Sequence, residues 1–170
     1  MAYSTVPKVR RDGTITLKDG AGVANTLVVA YEEGNLTFDV SKADQTVIRD
    51  RSTIVTVRKG DEQPAATGSF SAFMREFADQ TNTGSILDFI NKTNAYSANQ
   101  SSGTTGTPYI EEYCIDIEFS VEGTDFGDDA DHKATLSKCI CTVSFTEGDP
   151  NSFAISFTCY GGVTYSGPGT

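Results

Sequence analysis

The chain has 170 residues, of which 38% are hydrophobic and 10% aromatic, with no tryptophan. That is enough for one domain with a core, and too apolar for a disordered chain. The formal net charge of −10 disfavours direct nucleic-acid binding, which needs Lys and Arg to displace counterions from phosphates.

The N-terminal residues 1–12 contain Lys8, Arg10 and Arg11, with no apolar run behind them. They read as a basic arm rather than a signal peptide, and the chain as soluble and made in the cytoplasm. "GTITLKDG" is a short strand closed by an Asp19-Gly20 turn. "TLVVAY" and "NLTFDV", joined by "EEG", are expected to form a hairpin. "QTVIRDRSTIVTVRKG" is long and β-branched, with a bulge or break expected near residues 50–52.

The next stretch, "GSFSAFMREF", has two readings. Phe70, Phe73, Met74 and Phe77 fit a helical stripe, while the same residues also alternate as in a strand. Its position straight after a turn and a strong strand favours a strand over 67–75, paired with 54–59; a helix is the alternative. "SILDFINKT" is the better helix, with Ser85 as N-cap and Asp88 at the third position. Residues 93–109 are small and polar and read as a long loop.

Period-two alternation returns beyond the loop. From residue 112 to 122, Tyr113, Ile115, Ile117, Phe119 and Val121 define an apolar face. The other face carries Glu112, Cys114, Asp116, Glu118 and Glu122. "KCICTVSFTEG" and "NSFAISFTCYGG" form two further strands around a "GDPN" turn, and 161–170 is a C-terminal tail. The fold class is mainly β: antiparallel sheet of roughly eight strands with one short helix, in a single domain over 1–170.

Constellations for catalysis are missing. There is no G-x-S-x-G and no phosphate-binding glycine loop, so no enzyme, catalytic residue or cofactor is expected. The acidic loop 122–132 lacks EF-hand spacing, and His132 is assigned to that loop. Four cysteines leave disulfides, zinc or free thiols open. Cys139, Cys141 and Cys159 fall at apolar-face positions, where a thiol acts as a small hydrophobe, so no metal is expected.

The order of elements through "VRKGDEQPAATGSFSAFMREF" and "GSILDFINKT" resembles the tail tube (major tail) proteins of long-tailed bacteriophages. The resemblance implies an antiparallel β-sandwich or half-barrel with one short flanking helix, and a virion structural protein assembled in the host cytoplasm into stacked hexameric rings. These form the hollow tail tube through which phage DNA is delivered. Implied partners are further copies of the chain and the tape-measure, tail-terminator and tail-tip proteins; DNA would pass without specific binding, and no membrane is involved. Glu112, Asp116, Glu118 and Glu122 are then candidates to line the lumen, where carboxylates and small hydroxyls would repel phosphates. Lys8, Arg10, Arg11, Tyr96 and Tyr109 are candidates for contacts between subunits or rings. The alternative is a β-sandwich binding module or virion decoration protein recognising carbohydrate or protein.

Overall fold

The computed structural model describes residues 13–29, 35–60, 62–74, 85–123 and 129–167. Ten strands and one α-helix lie among them. The strands are β1 (Gly13–Lys18), β2 (Thr26–Val29), β3 (Thr37–Asp39), β4 (Gln45–Asp50), β5 (Thr53–Lys59), β6 (Ala66–Phe73), β7 (Ile115–Val121), β8 (His132–Thr146), β9 (Ser152–Cys159) and β10 (Val163–Ser166). The helix α1 spans Ile86–Asn91.

Eight strands form one antiparallel sheet in the order β2-β1-β7-β8-β9-β6-β3, with β10 beside β8. At about 4.8 Å per strand, seven strands in a row would span roughly 30 Å if flat. A six-residue helix is only about 9 Å long and cannot cover such a face. The sheet instead curls around a single core. Ile15, Leu17, Phe70, Ile115, Ile117, Leu136, Ile155 and Phe157 are all buried in one cluster with Ile86, Phe89 and Ile90 of α1. This is the half-barrel with a flanking helix that the resemblance implies.

The helix begins as its sequence predicts. Ser85 Oγ accepts from the Asp88 amide at 3.1 Å, and the Asp88 carboxylate accepts from the Ser85 amide at 3.0 Å. Lys92 closes the helix in the left-handed region, with φ 54°.

Several expectations are corrected. The Phe-rich segment is a strand, Ala66–Phe73, but its partners are β9 and β3 rather than residues 54–59. Residues 54–59 belong to β5, which pairs only with β4. β2 and β3 do not form a hairpin: they lie at opposite ends of the sheet order, because β2 folds back on β1 across the Asp19-Gly20 turn. The strand expected from residue 112 starts at Ile115, so Cys114 precedes it and is fully buried. His132 opens β8 rather than lying in a loop. The tail contains β10, which pairs Val163–Ser166 with Lys133–Leu136.

Gly68 shows why one position in β6 has no side chain. It stands opposite Phe157, and a Cβ there would lie 2.4 Å from the Phe157 ring and 2.4 Å from the Thr37 carbonyl oxygen. The missing side chain lets Phe157 lie across the strand and meet Phe70, with ring centroids 6.3 Å apart.

Candidate assembly surfaces

Two surfaces have no structural role in the core: the outer face of the sheet and the β4–β5 hairpin.

The outer face is set by the same period of two that buries the inner one. Thr16, Glu118 and Thr135 stand in one row across β1, β7 and β8. Thr142, Ser156, Ser69 and Thr37 make another across β8, β9, β6 and β3. The Thr37 and Ser69 hydroxyls lie 3.3 Å apart. Small hydroxyls cover most of this face.

Of the four acidic candidates, Asp116 and Glu118 are on that face. Glu112 lies in the bend before β7 and is exposed, and Glu122 follows the strand and is half-buried. Glu118 is no bare charge. Its Oε2 is 2.6 Å from Lys18 Nζ, and its Oε1 is 3.7 Å from Lys133 Nζ, the three side chains being part-exposed. Asp116 Oδ1 accepts the Lys138 amide at 2.8 Å. Lys18 is also the register partner of Asp116. The carboxylates are therefore interleaved with lysines, which alternation along β7 alone could not reveal.

The hairpin is the feature that sequence reading missed. Every residue of β4 and β5 is exposed on both faces. Val47, Ile48, Ile54, Val55 and Val57 are 42–64% exposed. Val47 and Val57 are paired across the ladder, and Val55 is the unpaired residue at the register shift that follows. Six paired residues give an arm about 20 Å long. Its root is held by the Gly60 amide donating to the Asp44 carbonyl and by Gln63 Nε2 donating to the Ser41 carbonyl at 3.1 Å. An isolated two-stranded hairpin is marginal in water, and one with five uncovered aliphatic side chains needs a cover. Its charge differs from that of the body. Arg49, Arg51, Arg58 and Lys59 outweigh Asp50, giving +3 on a chain of −10. The remaining residues thus carry −13.

The polar segment 93–109 is stitched down rather than free. Asp19, only 3% exposed, accepts from the amides of Asn25 at 2.7 Å and Gln100 at 3.0 Å. Asn25 Nδ2 bridges to the buried Asn99 at 3.1 Å. Ser101 Oγ accepts from the Cys114 amide at 2.9 Å. Lys138, held with φ 57° at the bulge in β8, donates from Nζ to the carbonyls of Thr105 and Pro108, each at 2.7 Å. Tyr96 packs edge-on against Phe89 of its own subunit, with centroids 4.9 Å apart, while Tyr109 is 67% exposed. Lys8, Arg10 and Arg11 lie outside the described residues.

Among the described residues, no group of three or more His, Cys, Asp or Glu could hold a metal ion. All four cysteines are free thiols: Cys114, Cys139 and Cys159 are buried and Cys141 is half-buried. Burial, followed by the nearby Cys114 and Cys159 thiols, pushes Cys141 up to about 12. No described helix is long and apolar enough to cross a membrane.

No protein-family model and no curated protein matches the sequence. Solved structures do match it, end to end. One is a chain of the PVC extracellular contractile injection system, from its sheath–tube complex in the extended state. It has a TM-score of 0.59 and 13% identity, over 98% of this chain and 99% of that one. A chain from the sheath/tube terminator of the same system gives 0.56 and 15%, over 98% and 99%. A chain of the anti-feeding prophage baseplate, 6-fold symmetrised, gives 0.56 and 9%, over the whole of both chains. At these identities the fold is what is shared. The three neighbours come from a sheath–tube complex, a sheath/tube terminator and a baseplate.

Proposed function

We propose that this chain is a structural subunit of a tail tube. Copies associate into hexameric rings, and the rings stack into a hollow conduit of a phage tail or a related contractile injection machine. The observation that carries the reading is the β4–β5 hairpin. It is an exposed aliphatic arm of charge +3 on a body of −13, and it needs a cover that the described residues of its own subunit do not supply. A second copy of the chain meets both requirements, offering an acidic surface for the arginines and lysine and burial for the valines. The end-to-end likeness to chains of a sheath–tube complex, a terminator and a 6-fold baseplate supports the same role.

In this reading the hydroxyl-rich outer face lines the passage for DNA, with Asp116 and Glu118 on it and Glu112 and Glu122 at its margins. Tyr109 and the basic residues Lys8, Arg10 and Arg11 meet neighbouring subunits or rings. Tyr96 shares that role with whatever part of its ring Phe89 leaves uncovered. Tape-measure, tail-terminator and tail-tip proteins are the remaining partners, and the tube is part of a virion assembled in the host cytoplasm.

The test is assembly. Purified chain should form rings or tubes in negative-stain images and elute far above monomer size on gel filtration. Replacing Val57 by Asp places a charge on the aliphatic side of the arm. That variant should keep its β-type circular dichroism and melting transition yet remain monomeric. Normal tubes from Val57→Asp, or a wild-type chain that is monomeric at every concentration and salt tried, would overturn the reading.

A further inference from the structure

Cys139 begins the part of β8 that pairs with β9, and its register partner is Cys159, the last residue of β9. Both are buried, at 0% and 1% exposure. The Tyr160 amide donates to the Lys138 carbonyl at 3.2 Å directly beside them. That single bond flanks 139 and 159 as a ladder bond flanks a non-hydrogen-bonded pair, the Lys138 amide itself going to Asp116. Such pairs bring their Cα atoms within about 4.5 Å. Disulfides accept Cα separations of about 4.4–6.8 Å. Each thiol donates to nearby backbone: Cys139 Sγ to the Leu136 carbonyl at 3.4 Å, and Cys159 Sγ to the carbonyls of Ser137 at 3.0 Å and Gly162 at 3.2 Å.

The other cysteines lack this arrangement. Cys141 is opposite Phe157, and Cys114 precedes β7 with its sulfur 3.5 Å from the Glu112 carbonyl oxygen.

We infer that Cys139 and Cys159 are an oxidation site, a thiol pair that closes to a cross-strand disulfide when the protein meets a peroxide. The route for a small oxidant is local. Cys159 adjoins the turn Tyr160–Gly162, which is exposed on its outer side. Three backbone bonds hold that turn to β8: Tyr160 to Lys138, Gly161 to Ser137, and Ser137 to Gly162. Their opening uncovers the Cys159 sulfur while β8 stays paired with β7. Once uncovered, Cys159 loses its two carbonyl acceptors, passes its proton to solvent and reacts first, as the thiolate.

Its sulfur attacks one peroxide oxygen; the S–O bond forms, the O–O bond breaks, and hydroxide leaves. The Cys139 sulfur then attacks the sulfenic sulfur. The S–S bond forms, the S–O bond breaks, and the departing hydroxide takes the Cys139 proton as water. Two thiols are oxidised, and one peroxide is reduced to two waters. The product ties β9 and the start of β10 to the central strand.

The experiment uses the unmodified full chain and hydrogen peroxide. Denatured thiol titration should fall from four to two, intact mass should drop by two hydrogens, and chymotryptic mapping should join the peptides holding Cys139 and Cys159. The denaturant midpoint should rise on oxidation and return on reduction. In Cys139→Ser, Cys159 should instead be captured as sulfenic acid by a cyclic diketone. Retention of four thiols, or a bond that includes Cys114 or Cys141, overturns the inference whether or not the serine variant folds.

Discussion

Asp19 tests whether the 93–109 segment is anchored through one buried carboxylate. Asp19→Ala removes the acceptor for the Asn25 amide at 2.7 Å and the Gln100 amide at 3.0 Å, together with longer contacts of 3.3 Å from the Ala21 amide and Asn25 Nδ2. A hydrogen bond to a charged acceptor contributes about 1.5–3 kcal/mol. The two short bonds alone therefore amount to about 3–6 kcal/mol, and water entering the vacated space recovers part of that. A net loss of about 3 kcal/mol is expected, or roughly 6–12 °C in melting temperature for a domain of this size. Asp19→Asn should lose less, since its amide oxygen still accepts one backbone N–H while its NH2 confronts the other. Urea unfolding of dilute protein gives the stability. Hydrogen exchange at the Gln100 amide reports the site directly and should speed up in Asp19→Ala. A stability change below about 1 kcal/mol, with Gln100 still protected, would refute the anchoring argument.

Three further outcomes follow from the geometry. Burial opposes ionisation of Asp88, but hydrogen bonds from the Ser85 amide, Thr93, the Ser85 hydroxyl and Asn94 outweigh it and hold the carboxyl below its usual value of 3.8. A depressed folded-state value makes the helix cap fully effective above the unfolded value and progressively lost as pH falls through the folded one. The stability gap between wild type and Asp88→Asn should thus narrow as urea titrations move from about pH 6 to about pH 3. Gly68→Val should destabilise by about 2–4 kcal/mol, since its Cβ collides with the Phe157 ring and the Thr37 carbonyl; an unchanged melting temperature would contradict that close approach. Lys138→Met removes two 2.7 Å bonds to the Thr105 and Pro108 carbonyls, and should raise proteolysis between residues 104 and 110 while leaving the sheet's circular dichroism unchanged.

Strand positions and the helix cap were legible because they depend on period and on adjacent residues. Ser85 and Asp88 identify their helix start from a spacing of three. Ile115 and Ile117 reveal which side of β7 is buried. Pairing partners were less legible, because alternation says nothing about which strand lies alongside. The segment 54–59 alternates as well as any core strand, yet it folds back on 45–50. The tight turn holds Arg51 at φ 54°, a conformation that a glycine would have advertised and an arginine conceals. How the polar loop is held down was hard to read for a related reason. Composition marks Asn99 and Ser101 as hydrophilic, but not whether their partners are water or protein: here the Asn25 and Tyr113 side chains for Asn99, and the backbone of Glu112 and Cys114 for Ser101. Cys114 was assigned to the wet face by extending a two-residue period past the true start of its strand.

The ion pairs on the outer face change how a smooth conduit would work in the proposed tube. Four carboxylates in a line would build a repulsive field at the wall, reaching about 8 Å into physiological salt. Around Glu118 that field is cancelled, since Lys18, Lys133, Asp116 and Glu118 together carry no net charge. What remains across the face is a surface of hydroxyls, many of them exposed on β3, β6, β8 and β9. Hydroxyls hold water and have no charge with which to grip a phosphate, so passage depends on a hydrated wall more than on repulsion. Removing the cations separates the two accounts. Lys18→Gln with Lys133→Gln would leave Glu118 unpaired and shift each ring by −12 in a hexamer, with the hydroxyls unchanged. Under the hydrated-wall account, DNA ejection from particles built of that variant should keep its rate within about twofold. Ejection that speeds up many-fold at low salt, with the gain lost at high salt, would restore charge repulsion as the controlling effect.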